Sequence, residues 1–99
     1  MAEYVRLYSR PGAFIEALNY YRAIFESGKQ NRTLAANKIK VPVLAIAGAL
    51  WLGDAMRGAI EPLADKFDML SIPDCAHFPP EETPTELATA LRKHFAGCL

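Results

Sequence analysis

The residues best suited to chemistry lie in the stretch Asp74-Cys75-Ala76-His77-Phe78-Pro79-Pro80. An imidazole has an ordinary pKa of about 6.5, so it can accept and release a proton near neutrality, as a general base must. The run Met69-Leu70-Ser71-Ile72 leads into this stretch, and Glu81-Glu82-Thr83-Pro84-Thr85-Glu86 leads out into a helical pattern. The spacing therefore predicts His77 on a loop just beyond the carboxyl end of a strand. In open α/β sheets, ligands and catalytic groups gather there. The alternative is a loop histidine that is solvent-exposed or bonded for structural reasons.

The elements that must position this loop can be read on either side of it. Val41 to Ala47 is a near-continuous apolar run bounded by Lys40 and Gly48, which suits a strand buried on both faces of a parallel sheet. Pro42 sits at its entrance, where a missing N–H does least harm. A helical pattern follows from Asp54 to Phe67, with Met56, Ile60, Leu63 and Phe67 on one side and a kink expected at Gly58 and Pro62. Asp68 to Ile72 reads as the second strand, so strand, helix and strand form a βαβ crossover. Thr83 is the expected cap of the last helix, with Pro84 at its first position, Glu86 three after the cap, and Leu87, Leu91 and Phe95 as its buried stripe. Glu81, Glu82 and Glu86 suit a helix N-terminus electrostatically. His94 suits the carboxyl end of the same helix.

Ahead of these strands, Ala2 to Ser27 is helical in pattern. Tyr4 and Tyr8 share one face, and Phe14, Ala17, Leu18, Tyr21 and Phe25 recur at helical spacing. Ser9-Arg10-Pro11-Gly12 divides this into a short helix and a second one starting near Pro11. Gly28 is expected to end the second helix, leaving Lys29 to Lys40 irregular apart from a turn around Thr33 to Asn37. Two strands offer no centre for the apolar run at Val41 to Ala47, so the chain has the look of the end of a larger α/β sheet.

Composition narrows the function classes. The 99 residues carry 11 basic and 11 acidic side chains with neither sign clustered, which disfavours a nucleic-acid face and a polybasic membrane anchor. The longest apolar stretch, Val41 to Gly53, is too short to span a bilayer. Met1-Ala2-Glu3-Tyr4-Val5-Arg6 lacks the layout of a signal peptide. Cys75 and Cys98 form neither a disulfide framework nor a zinc motif, and point to a reducing, cytoplasmic setting.

The His77 loop, with Thr83-Pro84-Thr85-Glu86 after it, resembles the catalytic-histidine loop of α/β-hydrolases, in the epoxide hydrolase and haloalkane dehalogenase branch. Asn19-Tyr20-Tyr21-Arg22 resembles that branch's late cap helix, and Tyr4-Val5-Arg6 with Tyr8-Ser9-Arg10-Pro11-Gly12-Ala13 adds to the likeness. The resemblance covers Ala2 to Phe95. It implies the end of a helical cap with its connection (residues 1–40), then the carboxyl-terminal part of the core (41–99). In a complete member, an aspartate opens an epoxide or displaces a halide, and a histidine-activated water hydrolyses the covalent ester. His77 takes the place of that base. Tyr21 takes the place of a tyrosine that bonds the epoxide oxygen, its alternative role being a core aromatic on the apolar stripe. No metal or organic cofactor is implied.

Departures from the family's pattern are equally specific. Ala76 stands where glycine is usual. Trp51 stands where many relatives carry the triad acid. Asp54 is the nearest carboxylate and is either that acid or the cap of the following helix; other relatives draw the acid from an earlier strand. Asp74 reads as a turn residue after Pro73. Trp51 and Phe78 are candidates for lining the substrate pocket, with Trp51 in a packed loop or a subunit contact as the other reading. No two glycines are four apart to frame a nucleophile, and no His-Gly-x-Pro stretch supplies an oxyanion hole. The expectation is therefore a hydrolase-family chain, inactive alone, that partners a small-molecule substrate only when completed by an amino-terminal half. Otherwise it is a remnant that self-associates through exposed strand edges or binds a small molecule without turnover.

Overall fold

The computed structural model describes residues 1–98, which fall into two compact units, Met1–Leu34 and the chain from Ala35 onward. The first unit holds α1 (Ala2–Tyr8), α2 (Ala13–Arg22) and α3 (Ile24–Leu34). Gly12, at φ 81°, makes the turn into α2, a backbone conformation that glycine adopts without penalty. The expected end at Gly28 is corrected. The break falls at Ala23, and α3 runs through Gly28 to Leu34. One glycine costs a helix only about 1 kcal/mol relative to alanine. Lys29, Gln30 and Arg32 favour the helix, and a Lys29–Glu26 ion pair spans its surface. None of the three helices buries a residue, and Phe14, Leu18, Tyr21 and Phe25 are all exposed.

The second unit is built on two parallel strands, β1 (Val43–Gly48) and β2 (Phe67–Ile72), in register from Val43 opposite Phe67 to Gly48 opposite Ile72. A bridge between Ile39 and Ala64 extends the pairing backward, with the Ile39 N–H donating to Leu63 O at 2.8 Å and the Asp65 N–H to Ile39 O at 3.1 Å. Lys40 pairs with Asp65 beside it. Ala45, Ala47, Ala64, Ile72 and Cys75 form a small core of mostly compact side chains.

Between the strands, the expected long helix is a 3-10 turn at Gly53–Ala55 followed by α4 (Met56–Ile60). Pro62 brings no amide for another helical bond and restrains the residue before it, so the helix stops there. Phe67 opens β2 instead of closing a helix.

After β2 come a one-turn helix, α5 (Pro79–Glu82), and α6 (Pro84–Gly97). Proline stands at the first position of both, where its missing N–H has no helical partner to lose. Thr83 precedes α6 but does not cap it by side chain; its hydroxyl donates to Pro79 O at 3.3 Å. The expected stripe is also corrected. Leu87 is half-buried, whereas Leu91 and Phe95 are exposed, Phe95 by 61%. Thr85, Thr89 and Lys93 line the sheet side instead, bordering a groove of about 840 Å³ against β2. No helix among the described residues is long and apolar enough to cross a membrane.

Candidate active site

The site begins with two strand ends lying side by side, Gly48 against Ile72. Beyond Ile72 the chain turns at Pro73-Asp74, with Asp74 at φ 53°, a left-handed conformation that aspartate tolerates better than most residues. Asp74 is thus the expected turn residue. The turn carries the chain across the end of β1 and drops Cys75 into complete burial. Two amides of the loop after β1 stitch the ends together, and a third closes the loop on itself. Ala49 donates to Ile72 O at 2.9 Å, Leu50 to Cys75 O at 3.0 Å, and Trp51 back to Gly48 O at 3.1 Å. So close an approach needs a residue without a side chain at position 48. A Cβ there would sit 2.0 Å from Ala76 O and 2.4 Å from Cys75 O.

This stitching presents His77 at the surface between two aromatic rings. Its imidazole meets Trp51 edge-on at 5.2 Å between centroids and Phe78 at 4.8 Å. All three side chains are exposed, so a small molecule could reach the ring from solvent. The backbone under it is anchored by one carboxylate. Glu82 Oε2 accepts from the Ala76 N–H at 2.8 Å, and Oε1 accepts from the Phe78 N–H at 2.7 Å. The amides of Ala76 and Phe78 hold the Glu82 carboxyl below its ordinary range, with the neighbouring His77 adding to the effect. Glu82 closes α5, and its side chain reaches back over the turn to the amide of Phe78, the residue that precedes the helix.

The structure thus brings Trp51, His77 and Phe78 into one cluster. Asp54 lies in the 3-10 turn that follows Trp51, exposed, and its side chain bonds neither to His77 nor to the helix end it was expected to cap. Tyr21 lies on α2 of the first unit, 67% exposed, with its ring edge-on to Tyr20 at 5.6 Å. It is not a core aromatic of that unit. Arg22, from the same motif, donates to Asn19 Oδ1 at 2.9 Å. His94 occupies the last turn of α6, with its Nε2 3.8 Å from the sulfur of Cys98.

Comparison with known proteins agrees with this architecture. The chain is 33% identical over 96 residues to the soluble epoxide hydrolase of Corynebacterium sp. (strain C12), covering 97% of this chain and 33% of that protein. The crystal structure of wild-type Cfl2 from Burkholderia cenocepacia matches with a TM-score of 0.86 and 39% identity, over 95% of this chain and 32% of that one. This chain carries the carboxyl-terminal portion of an epoxide-hydrolase-like α/β-hydrolase. It spans about a third of the length of the relatives it matches. No protein-family model matches it.

Two residues of this hydrolase segment matter more than sequence reading suggested. Glu82 was one of three glutamates assigned to a helix dipole. The signal that could have singled it out is its place five residues after the histidine, beyond two prolines that fix the path. Gly48 was only the end of an apolar run, and its close contact with residues 75 and 76 is non-local.

Proposed function

We propose that this chain supplies the water-activating histidine of an epoxide hydrolase, acting with a carboxylate nucleophile that lies outside these residues. The observation that carries the reading is the exposed His77 ring at the carboxyl ends of two parallel strands, with the amides on either side of it held by one carboxylate. The nucleophile attacks an epoxide carbon and breaks its C–O bond, giving a covalent ester and an alkoxide. The Tyr21 phenol donates its proton to that alkoxide. His77 then takes a proton from water, and the resulting hydroxide adds to the ester carbonyl. Collapse of the adduct releases the diol and restores the carboxylate, and the proton held by His77 returns by way of water to the Tyr21 phenolate.

Trp51 and Phe78 form the substrate wall beside the base. Residues 1–40 serve as the end of the cap and 41–99 as the end of the core. The acid that orients His77 comes from outside these residues, with Asp54, which makes no bond to His77, as the chain's own alternative. The test is a graft in which this chain replaces the matching stretch of the Corynebacterium relative, with folding checked by circular dichroism. The graft is expected to turn an epoxide into its diol, while the isolated chain does not. A folded graft that leaves the epoxide intact would contradict the proposal.

A further inference from the structure

We propose that Glu82 is the positioning residue of His77, setting the direction of the imidazole through the backbone on both sides of it. The inference rests on the reading of His77 as the base. A single peptide hydrogen bond leaves the neighbouring peptide free to rotate. Here each oxygen of one carboxylate takes one amide, Ala76 at 2.8 Å and Phe78 at 2.7 Å, so the Cys75–Ala76 peptide ahead of His77 and the His77–Phe78 peptide after it are tied to the same group. Amides that converge on an anion make charge-assisted bonds, and here the anion is the chain's own carboxylate. The mounting of Glu82 is itself stiff, because Pro79 and Pro80 start α5 and the Thr83 hydroxyl bonds back to Pro79 O.

The charge and the shape of the carboxylate are both required. A glutamine has one accepting oxygen, and its amide nitrogen would confront one of the two N–H groups. Of the titratable groups nearby, His77 faces Glu82 from its own loop and Glu81 adjoins it on α5. No lysine or arginine pairs with Glu82 among the described residues.

The experiment is NMR on the full chain, reading amide exchange at Ala76 and Phe78 and the ring signals of His77, in the wild type, E82Q and E81Q. E82Q is expected to speed exchange at one or both amides roughly fivefold. It is also expected to collapse the ring-current displacement that Trp51 and Phe78 impose on the His77 signals. E81Q is expected to change neither. Unaltered exchange and ring signals in a folded E82Q, or equal changes in E81Q, would overturn the proposal. Should E82Q not fold, acid titration of the wild type takes its place. Both amides must then lose protection together as Glu82 protonates, with the His77 ring signals moving in step, and independent behaviour would overturn it. None of these readouts needs turnover, so an inert graft would sink the catalytic reading and leave this result standing.

Discussion

Replacing Gly48 with alanine is the sharpest structural perturbation available at the site. The new Cβ would stand 2.0 Å from Ala76 O, whereas Cβ contacts under 3.0 Å are essentially never seen, so the His77 loop must retreat by at least about 1 Å. The three atoms it meets are all backbone, held by the Asp74 turn and the buried Cys75, so no flexible side chain can give way. Overpacking of this kind costs about 1–3 kcal/mol. The Leu50-to-Cys75 hydrogen bond lies in the path of the retreat and adds about 1 kcal/mol if it breaks. Urea unfolding followed by Trp51 emission reads both effects, because Trp51 is the single tryptophan and touches His77. The expected result is a lower midpoint and a native-state emission shifted before any urea is added. Gly58 on α4 is the control. A Cβ there meets nothing within 4 Å, and G58A is expected to stabilise by about 0.5–1 kcal/mol. A G48A protein with wild-type midpoint and emission would refute the account of how the two loops lock.

Three other expectations concern the same cluster. Glu82 is held below the ordinary carboxyl range, so its contribution is complete above the unfolded value of about 4.3 and fades as pH falls through the lower folded value. Trp51 emission should therefore show an acid step that E82Q lacks, and a step that persists in E82Q would contradict this. In the graft, D54N separates two sources of the triad acid. Loss of an acid that orients the histidine costs about 10⁴ in kcat; with no bond between Asp54 and His77 here, a change of only a few-fold is expected, and the larger loss would assign the acid to Asp54. Y21F in the graft is expected to slow epoxide opening about a hundredfold, as removal of one donor to a developing oxyanion does. Unchanged single-turnover rates would remove Tyr21 from the mechanism.

Much of the second unit was legible because local pattern and environment agree there. The apolar run after Pro42 became β1, the run into Pro73 became β2, and Pro84 opened α6 as its position suggested. The apolar periodicity of α2 and α6 was correctly seen, yet it fixes only which residues share a face, not what covers that face. Phe14, Leu18 and Tyr21 on one helix and Leu91 and Phe95 on the other share a face in this way and are exposed. Breakers misled in both directions. Gly28 was absorbed by good helix formers around it, while Pro62 ended α4 outright where a kink was expected. In the site, His77, Trp51 and Phe78 came from a motif and its neighbourhood. Of the parts that hold them, Gly48 acts through contacts with residues 75 and 76 that no local spacing encodes, whereas Glu82 acts on amides only four and six residues before it.

As proposed, His77 activates the water that cleaves a covalent ester. The most direct test of that role is intact-mass analysis of the graft after mixing with an epoxide, with His77 and with H77Q. The account predicts that H77Q is alkylated once and keeps the adduct, gaining the mass of one epoxide while diol formation stops, whereas the parent graft turns over. An H77Q graft that makes diol at the parent rate and carries no adduct would contradict it.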